Sequence, residues 1–261
     1  MLDIDEIAKR TRTSSVEVIE IIDRAKRSLT PKRKSVSVVE EDVKQKMSIV
    51  RTGVGLLQTQ YGAFYQFEFD IDDKWKRYTV LLNGKIDKNL NPVLKNSKSL
   101  LMRVDSGCQS GQIFDDRNCE CSTQLHQAMK IIADNGQGMI VHIPGQDGRG
   151  LGIPFKLATL SLQAELKLDT IEASYALKAE PPIDGRTYAG IIAVMKFFEI
   201  PRDMNIGLMT NNPEKSKIFR DNGYNNIELV PIVIKPTKYT RKHLYAKQKH
   251  LGHINLIRSD E

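Results

Sequence analysis

The whole cysteine content of the chain, Cys108, Cys119 and Cys121, falls in one short stretch with the pattern C-x10-C-x-C. Three buried thiols could simply be small hydrophobes, but their clustering points to metal chemistry. Thiolates are soft ligands that favour zinc. Three protein ligands leave the fourth tetrahedral position to water, whose pKa a catalytic zinc lowers to about 7. A structural site would take a fourth protein ligand, for which His126 and His142 are the candidates. An odd, low cysteine number argues against a disulfide framework and for a reducing, cytoplasmic compartment.

Three further segments could handle phosphate. Gly145-Gln146-Asp147-Gly148-Arg149-Gly150-Leu151-Gly152 lies between an apolar run, Met139–Ile143, and a helical one. That layout presents backbone N–H groups to an anion, and the Arg149 guanidinium can clamp phosphate in bidentate fashion. It is neither a Walker A loop nor a dinucleotide fingerprint. In Thr210-Asn211-Asn212-Pro213-Glu214-Lys215, Asn212 and Pro213 read as a helix start. Lys215 opposes the helix dipole there, which suggests an anionic partner. In Asp184-Gly185-Arg186-Thr187-Tyr188, local sequence alone makes Asp184 a helix cap and Arg186 a solvated charge.

The elements that must position these residues follow from periodicity. Ile4, Ile7 and Ala8, then Val16, Val18, Ile19, Ile21 and Ile22, recur at helical spacing, with Ser14 and Ser15 able to cap the second run. Lys26–Lys34 reads as a basic linker, and Val36–Lys46 as helical or irregular. Strands are expected within Tyr61–Phe69, Tyr78–Leu82, Leu100–Val104, Met139–Ile143, Asn205–Met209 and Ile227–Ile234. Helices are expected after residue 119, over Pro154–Leu166, over Thr187–Glu199 and after Asn212. Strands alternating with helices predict a mixed α/β (α+β) core with some parallel pairing. The expected organisation is a helical extension and linker over residues 1–45, a catalytic domain over 46–235 and a basic tail over 236–261.

With 261 residues, 40% hydrophobic and 27% charged, the composition is that of a globular protein and excludes a fibre or full disorder. No apolar run approaches the ~20 residues of a membrane span, and the acidic N-terminus does not resemble a secretory signal. The net charge of 39 − 32 = +7 suits a polyanion, either nucleic acid or a phosphate-rich small molecule.

Taken together, the motifs resemble those of GTP cyclohydrolase II, the zinc enzyme that opens the route to riboflavin. The resemblance runs from about Ile49 to His253. Its most specific part is Arg103-Val104-Asp105-Ser106-Gly107-Cys108 through Cys119-Glu120-Cys121 and Gln124-Leu125. The family pattern there is Arg-Val-His-Ser-Glu-Cys, then Cys-Asp-Cys-Gly and Gln-Leu. Gly145–Gly152, Asp184-x-Arg186-x-Tyr188, Thr210-Asn211-Asn212-Pro213-x-Lys215, and Lys247, Leu251, Gly252 and His253 in the tail follow in order. The resemblance implies one Zn²⁺ per chain on Cys108, Cys119 and Cys121, and Mg²⁺ on the nucleotide phosphates. It implies Arg186 as nucleophile toward the α-phosphorus and Asp184 as its acid/base partner. Arg103, Gln124, Asp147, Gly148, Arg149, Thr170, Thr210 and Lys215 would contact GTP. It also implies a homodimer. The stretch before Arg103 is too short, and lacks the acidic cluster, for the dihydroxybutanone-phosphate synthase half of the fused riboflavin enzymes.

Departures from the family pattern cluster near the metal. Gly107 replaces Glu, Ser110-Gly111-Gln112 replaces Thr-Gly-Asp, Asp147 replaces Glu, and Leu160 stands where the family carries a tyrosine. They predict a divergent member with an altered base or outcome. The expected reaction is hydrolytic opening of the imidazole ring of GTP with release of pyrophosphate, and of formate if the second hydrolysis occurs; the alternatives are a paralogue that stops at the formamidopyrimidine or acts on a uracil nucleotide. A reading of another class rests on residues 1–28, which resemble a helix-turn-helix with Arg10, Arg12, Lys26 and Arg27 as its positive charge. On that reading the protein is a nucleic-acid-binding regulator; the alternative is a helical pair docked on the catalytic domain.

Overall fold

The computed structural model describes residues 3–95, 97–177, 184–250 and 252, without the side chains of residues 242, 243, 246, 247 and 250. Two amphipathic helices open the chain, α1 (Ile4–Thr11) and α2 (Ser15–Ser28). The side chains of Asp3 and Ser14 accept the N–H groups of Glu6 and Glu17 and so cap their N-termini. Four antiparallel strands follow: β1 (Lys32–Glu40), β2 (Val43–Thr59), β3 (Gly62–Ile71) and β4 (Arg77–Asn83). Beyond a small ribbon, β5 (Lys85–Ile86) and β6 (Pro92–Val93), the chain becomes α/β. It runs through β7 (Leu100–Ser106), α3 (Gln109–Gln112), α4 (Cys121–Asn135), β8 (Gly138–Ile143) and α5 (Asp147–Gly150). Then come α6 (Ile153–Leu166), α7 (Thr170–Leu177), α8 (Ala189–Phe197), β9 (Ile206–Leu208), α9 (Lys217–Asp221), β10 (Ile227–Leu229) and α10 (Arg241–His250).

All the strands except β5 and β6 form one eight-stranded sheet in the order β1-β2-β3-β4-β8-β7-β9-β10. β8, β7, β9 and β10 are mutually parallel, as the alternation of strands and helices predicts. Residue parity divides the two faces. Met102, Val104, Met139, Val141 and Ile143 enter one core with α8, which is apolar and buried along its length except at Lys196. Ile140 and Leu101 point the other way, against Ala128, Met129 and Ile132 of α4. Arg103 and Asp105 of β7 share the parity of Leu101, so they project on the side of α4.

The structure corrects the reading of Val36–Lys46 as helical or irregular. Val36 and Val38 face inward on β1, and Glu41-Asp42, both with positive φ (49° and 65°), make the two-residue turn into β2. Lys32, Lys34 and Glu40 share this inward face, where they meet Phe197 and the start of α8, and they mask the apolar alternation. α8 also starts two residues later than expected, leaving Thr187 and Tyr188 in the loop. Leu251 and His253 of the tail, the side chain of Lys247, and Pro181-Pro182 lie outside the described residues.

Candidate active site

The C-terminal ends of β7, β8 and β9 open onto one side of the sheet, the position where parallel strands present ligands. β7 leads directly to Cys108; Cys119 and Cys121 follow on the loop into α4. The three Sγ atoms lie within 4.8 Å of one another, with Cys108 and Cys119 3.4 Å apart. A tetrahedral ion with sulfur at about 2.3 Å would hold its ligands about 3.8 Å apart, so the donor set fits zinc. Among the described residues no histidine joins it. His142 Nδ1 lies 2.8 Å from Asp105, and the His126 ring packs on Tyr61. The arrangement is therefore the open three-ligand type. Cys108 is held as the thiolate by hydrogen bonds from Cys119 and Cys121 and by the Lys156 ammonium, 2.9 Å from its sulfur. The same bond to Cys108 pushes the Cys119 thiol up to about 12.

The glycine loop after β8 wraps beside this cluster. Gly148 and Arg149 both adopt left-handed backbone (φ 58° and 57°). Gly150 (φ 78°) lies so close to the next loop that a Cβ would sit 2.9 Å from the Arg186 nitrogen. Asp147 Oδ1 accepts the Gln109 N–H at 3.1 Å and lies 3.6 Å from Lys156, tying the loop to the cysteine segment. Arg149 reaches α7, donating to Ser174 (2.8 Å) and Thr170 (3.0 Å). Its burial lowers its pKa, a cost that an anionic ligand would relieve.

Asp184 caps no helix and Arg186 is not solvated. Asp184 accepts the Arg186 main-chain N–H at 3.1 Å and grips its guanidinium at both Nε and Nη2. Against the opposing effect of burial, this contact lowers the acid's pKa, and with the pull of Tyr188 it raises the base's. They stand as an ion pair.

A cavity lined by the three cysteines, Asp147, Gly148, Arg149, Thr170, Lys156 and Leu160 shares Ser106, Cys121 and Arg186 with a second. Arg103, Gln124, Thr210 and Lys215 line the second. Every residue expected at the site therefore gathers here, with Asp184 behind Arg186. Arg103 donates to Gln124 (3.0 Å), while its buried Nε has no protein partner. Burial, with Arg186 and Arg103 nearby, lowers Lys215 to about 7.

The sequence marked Asp105, Gln112 and His142 separately but gave no signal that they meet. Asp105 and His142 are register partners on β7 and β8. Asp105 also accepts from Gln112 at 2.8 Å and lies 3.6 Å from Arg103, and Gln112 Oε1 accepts the Cys108 N–H at 3.0 Å. Burial works against its charge, but the His142 bond and the Arg103 charge win and lower its pKa. Two departures from the family pattern, Asp105 and Gln112, thus prove to be one exchange. Positions 105 and 112 touch; the acid stands at 105 rather than 112, and the imidazole comes from His142. Gly107 belongs to the same change. A Cβ there would lie 2.8 Å from Ile143 O and Pro144 Cα and 3.2 Å from the His142 ring, so a glutamate cannot occupy this backbone.

Comparison with known proteins agrees with the geometry. The sequence profile of the GTP cyclohydrolase II family matches residues 52–231. The chain is 31% identical over 218 residues to GTP cyclohydrolase-2 of Streptomyces coelicolor, covering 84% of this chain and 92% of that protein. It is 33% identical over 212 residues to GTP cyclohydrolase-2 of Haemophilus influenzae, covering 78% and 88%. It is also 33% identical over 208 residues to the riboflavin biosynthesis protein RibBA of Parabacteroides distasonis, covering 79% of this chain but 48% of that longer one.

Proposed function

The chain belongs to the GTP cyclohydrolase II family, and we propose that it opens the imidazole ring of GTP by hydrolysis and releases pyrophosphate, for riboflavin or a related synthesis. The observation that carries this reading is the wall shared by the two cavities, where Arg186 stands beside the thiol cluster on one side and Lys215 and Arg103 on the other. Ring and phosphate chemistry then fall within one nucleotide's reach.

Cys108, Cys119 and Cys121 would hold a zinc ion, which would supply Lewis-acid activation of water toward the ring carbon. Arg103, Gln124, Thr210 and Lys215 bind the nucleotide from the β7 and β9 side, and Arg149, with Thr170 behind it, from the other. Asp147 and Gly148 form the metal-side wall, and Mg²⁺ on the phosphates would supply the remaining charge stabilisation. Arg186 attacks the α-phosphorus as pyrophosphate leaves, and water later cleaves the P–N bond so formed, releasing the nucleotide monophosphate and restoring the guanidinium with the proton held by Asp184. Its guanidinium first gives a proton to Asp184, which already touches both Nε and Nη2. A homodimer is the expected assembly. Chromatography of products from GTP, UTP and UMP tests the substrate. Turnover of GTP is expected; turnover of the uracil nucleotides alone would overturn the reading.

A second reading of the outcome has its own support. Leu160 lines the metal-side cavity, and no tyrosine does among the described residues. Tyr175 is exposed, and Tyr188 lies under the Lys215 ammonium. Loss of formate is a second hydrolysis, on a formyl amide that a phenol can hydrogen-bond and a leucine cannot. Removing one such donor commonly costs about 10²–10³ in rate. The main product is therefore the formamidopyrimidine nucleotide. Formate assayed beside pyrophosphate should fall well below one to one and rise in Leu160→Tyr. Equal amounts from the wild type would contradict it.

A further inference from the structure

We propose that Glu40, on a strand outside the part of the chain that matches the family, is a positioning residue for Arg186. The inference rests on the proposed role of Arg186. The family match begins at residue 52, whereas β1 ends at Glu40. This strand lies along α8 and holds it at both ends. At the C-terminal end, Lys34 Nζ donates to Phe197 O at 2.7 Å, and Lys196 donates to Ser37 O. Beside it, Val39 exchanges two hydrogen bonds with Asn222, at 3.0 and 2.7 Å. At the N-terminal end, Glu40 Oε1 accepts the Tyr188 N–H at 2.7 Å, and the Ala189 N–H also bonds to this carboxylate.

The first N–H groups of a helix have no partner within it and favour a negative charge. α8 has no side-chain cap from its own N-cap residue, Tyr188. Glu40 supplies that cap from a strand far away in sequence. Tyr188 is two residues past Arg186, so the carboxylate fixes the end of the loop that carries the guanidinium. The other fixings of this loop act on its preceding residues and on Thr187. Lys74 Nζ donates to Gly185 O at 3.1 Å, Trp75 Nε1 to Thr187 Oγ1 at 2.9 Å, and Gly185 N to Arg149 O at 2.8 Å. Glu40 takes the main-chain N–H groups of the helix start that follows, through an acceptor with the reach of a glutamate.

The test uses the full chain and three variants, Glu40→Ala, Glu40→Asp and Glu40→Gln. Two measurements are made: steady-state turnover of GTP, and amide hydrogen exchange over residues 184–192. Glu40→Ala and Glu40→Asp should lower kcat by about tenfold, the scale of one charge-assisted hydrogen bond, with KM and zinc content unchanged. Exchange at Tyr188 should quicken by a similar factor. Glu40→Gln keeps the acceptor and its reach and should stay within about threefold of wild type in both readouts. If Glu40→Ala fails to fold, the contrast between Asp and Gln decides. Unchanged kcat and exchange in the Asp variant, or equal losses in Asp and Gln, would overturn the proposal. A wild type inactive on GTP would refute the assigned reaction, while the exchange data would still judge the clamp.

Discussion

Lys215 shows how one residue's surroundings set a pH dependence. Burial beside Arg186 and Arg103 brings it to about 7, so in the free protein its ammonium is present below that pH and lost above it. A bound polyphosphate restores the charge. Nucleotide affinity should therefore hold below pH 7 and weaken as pH rises, by up to about tenfold per unit, as binding begins to take up a proton. Calorimetry with a non-hydrolysable GTP analogue across that range measures it. Lys215→Ala should bind weakly with this dependence gone, and an unchanging wild-type affinity would contradict the account. Arg186 makes a different demand, because it acts on phosphorus and not on the metal. Arg186→Ala should lose pyrophosphate release while keeping its zinc content and circular dichroism; undiminished release would remove it from the chemistry. Lys215 was legible locally, as a cation opposing the helix dipole after Asn-Pro, whereas Arg186 was legible only through the resemblance to the family. Its ion pair with Asp184 was not legible locally. The local reading of Asp184 as a cap failed because a carboxylate two residues from an arginine can fold back onto it, and periodicity does not show that.

At the level of elements, β7 and β8 carry the departures from the family as a unit. Asp105, Gln112 and His142 are joined by two 2.8 Å contacts, and Gly107 makes room for the backbone after β8. None of this could be read along the chain. Asp105 and His142 meet only because β7 and β8 pair in parallel across the intervening α4. Gly107→Ala should destabilise the protein by about 1–3 kcal/mol, the usual cost of overpacking an enclosed position, seen as a lower thermal midpoint. An alanine variant as stable as wild type would mean that the loop yields freely. The strands and helices around the site were legible where alternation or 3.6-residue periodicity was clean. They were missed at β1, whose inward face carries Lys32, Lys34 and Glu40 beside Val36 and Val38, and shortened at β10, which pairs only over Ile227–Leu229.

For the molecule as a whole, the order of the motifs along the chain predicted what the sheet assembles in space. Three loops at the ends of parallel strands, and a fourth leading into α8, surround one place with thiols on one side and cations on the other. The central claim is that these two sides act on a single nucleotide. Mass spectrometry of the products formed from GTP with zinc and magnesium tests it most directly, with a chelated sample and Cys119→Ser beside the wild type. Two thiolates alone make a poor zinc site, so the variant should lose its metal and join the chelated sample in giving no ring-opened product. The zinc-loaded wild type should give pyrophosphate and a ring-opened pyrimidine nucleotide monophosphate. Full activity after exhaustive chelation, or pyrophosphate released with the imidazole ring intact, would contradict the account.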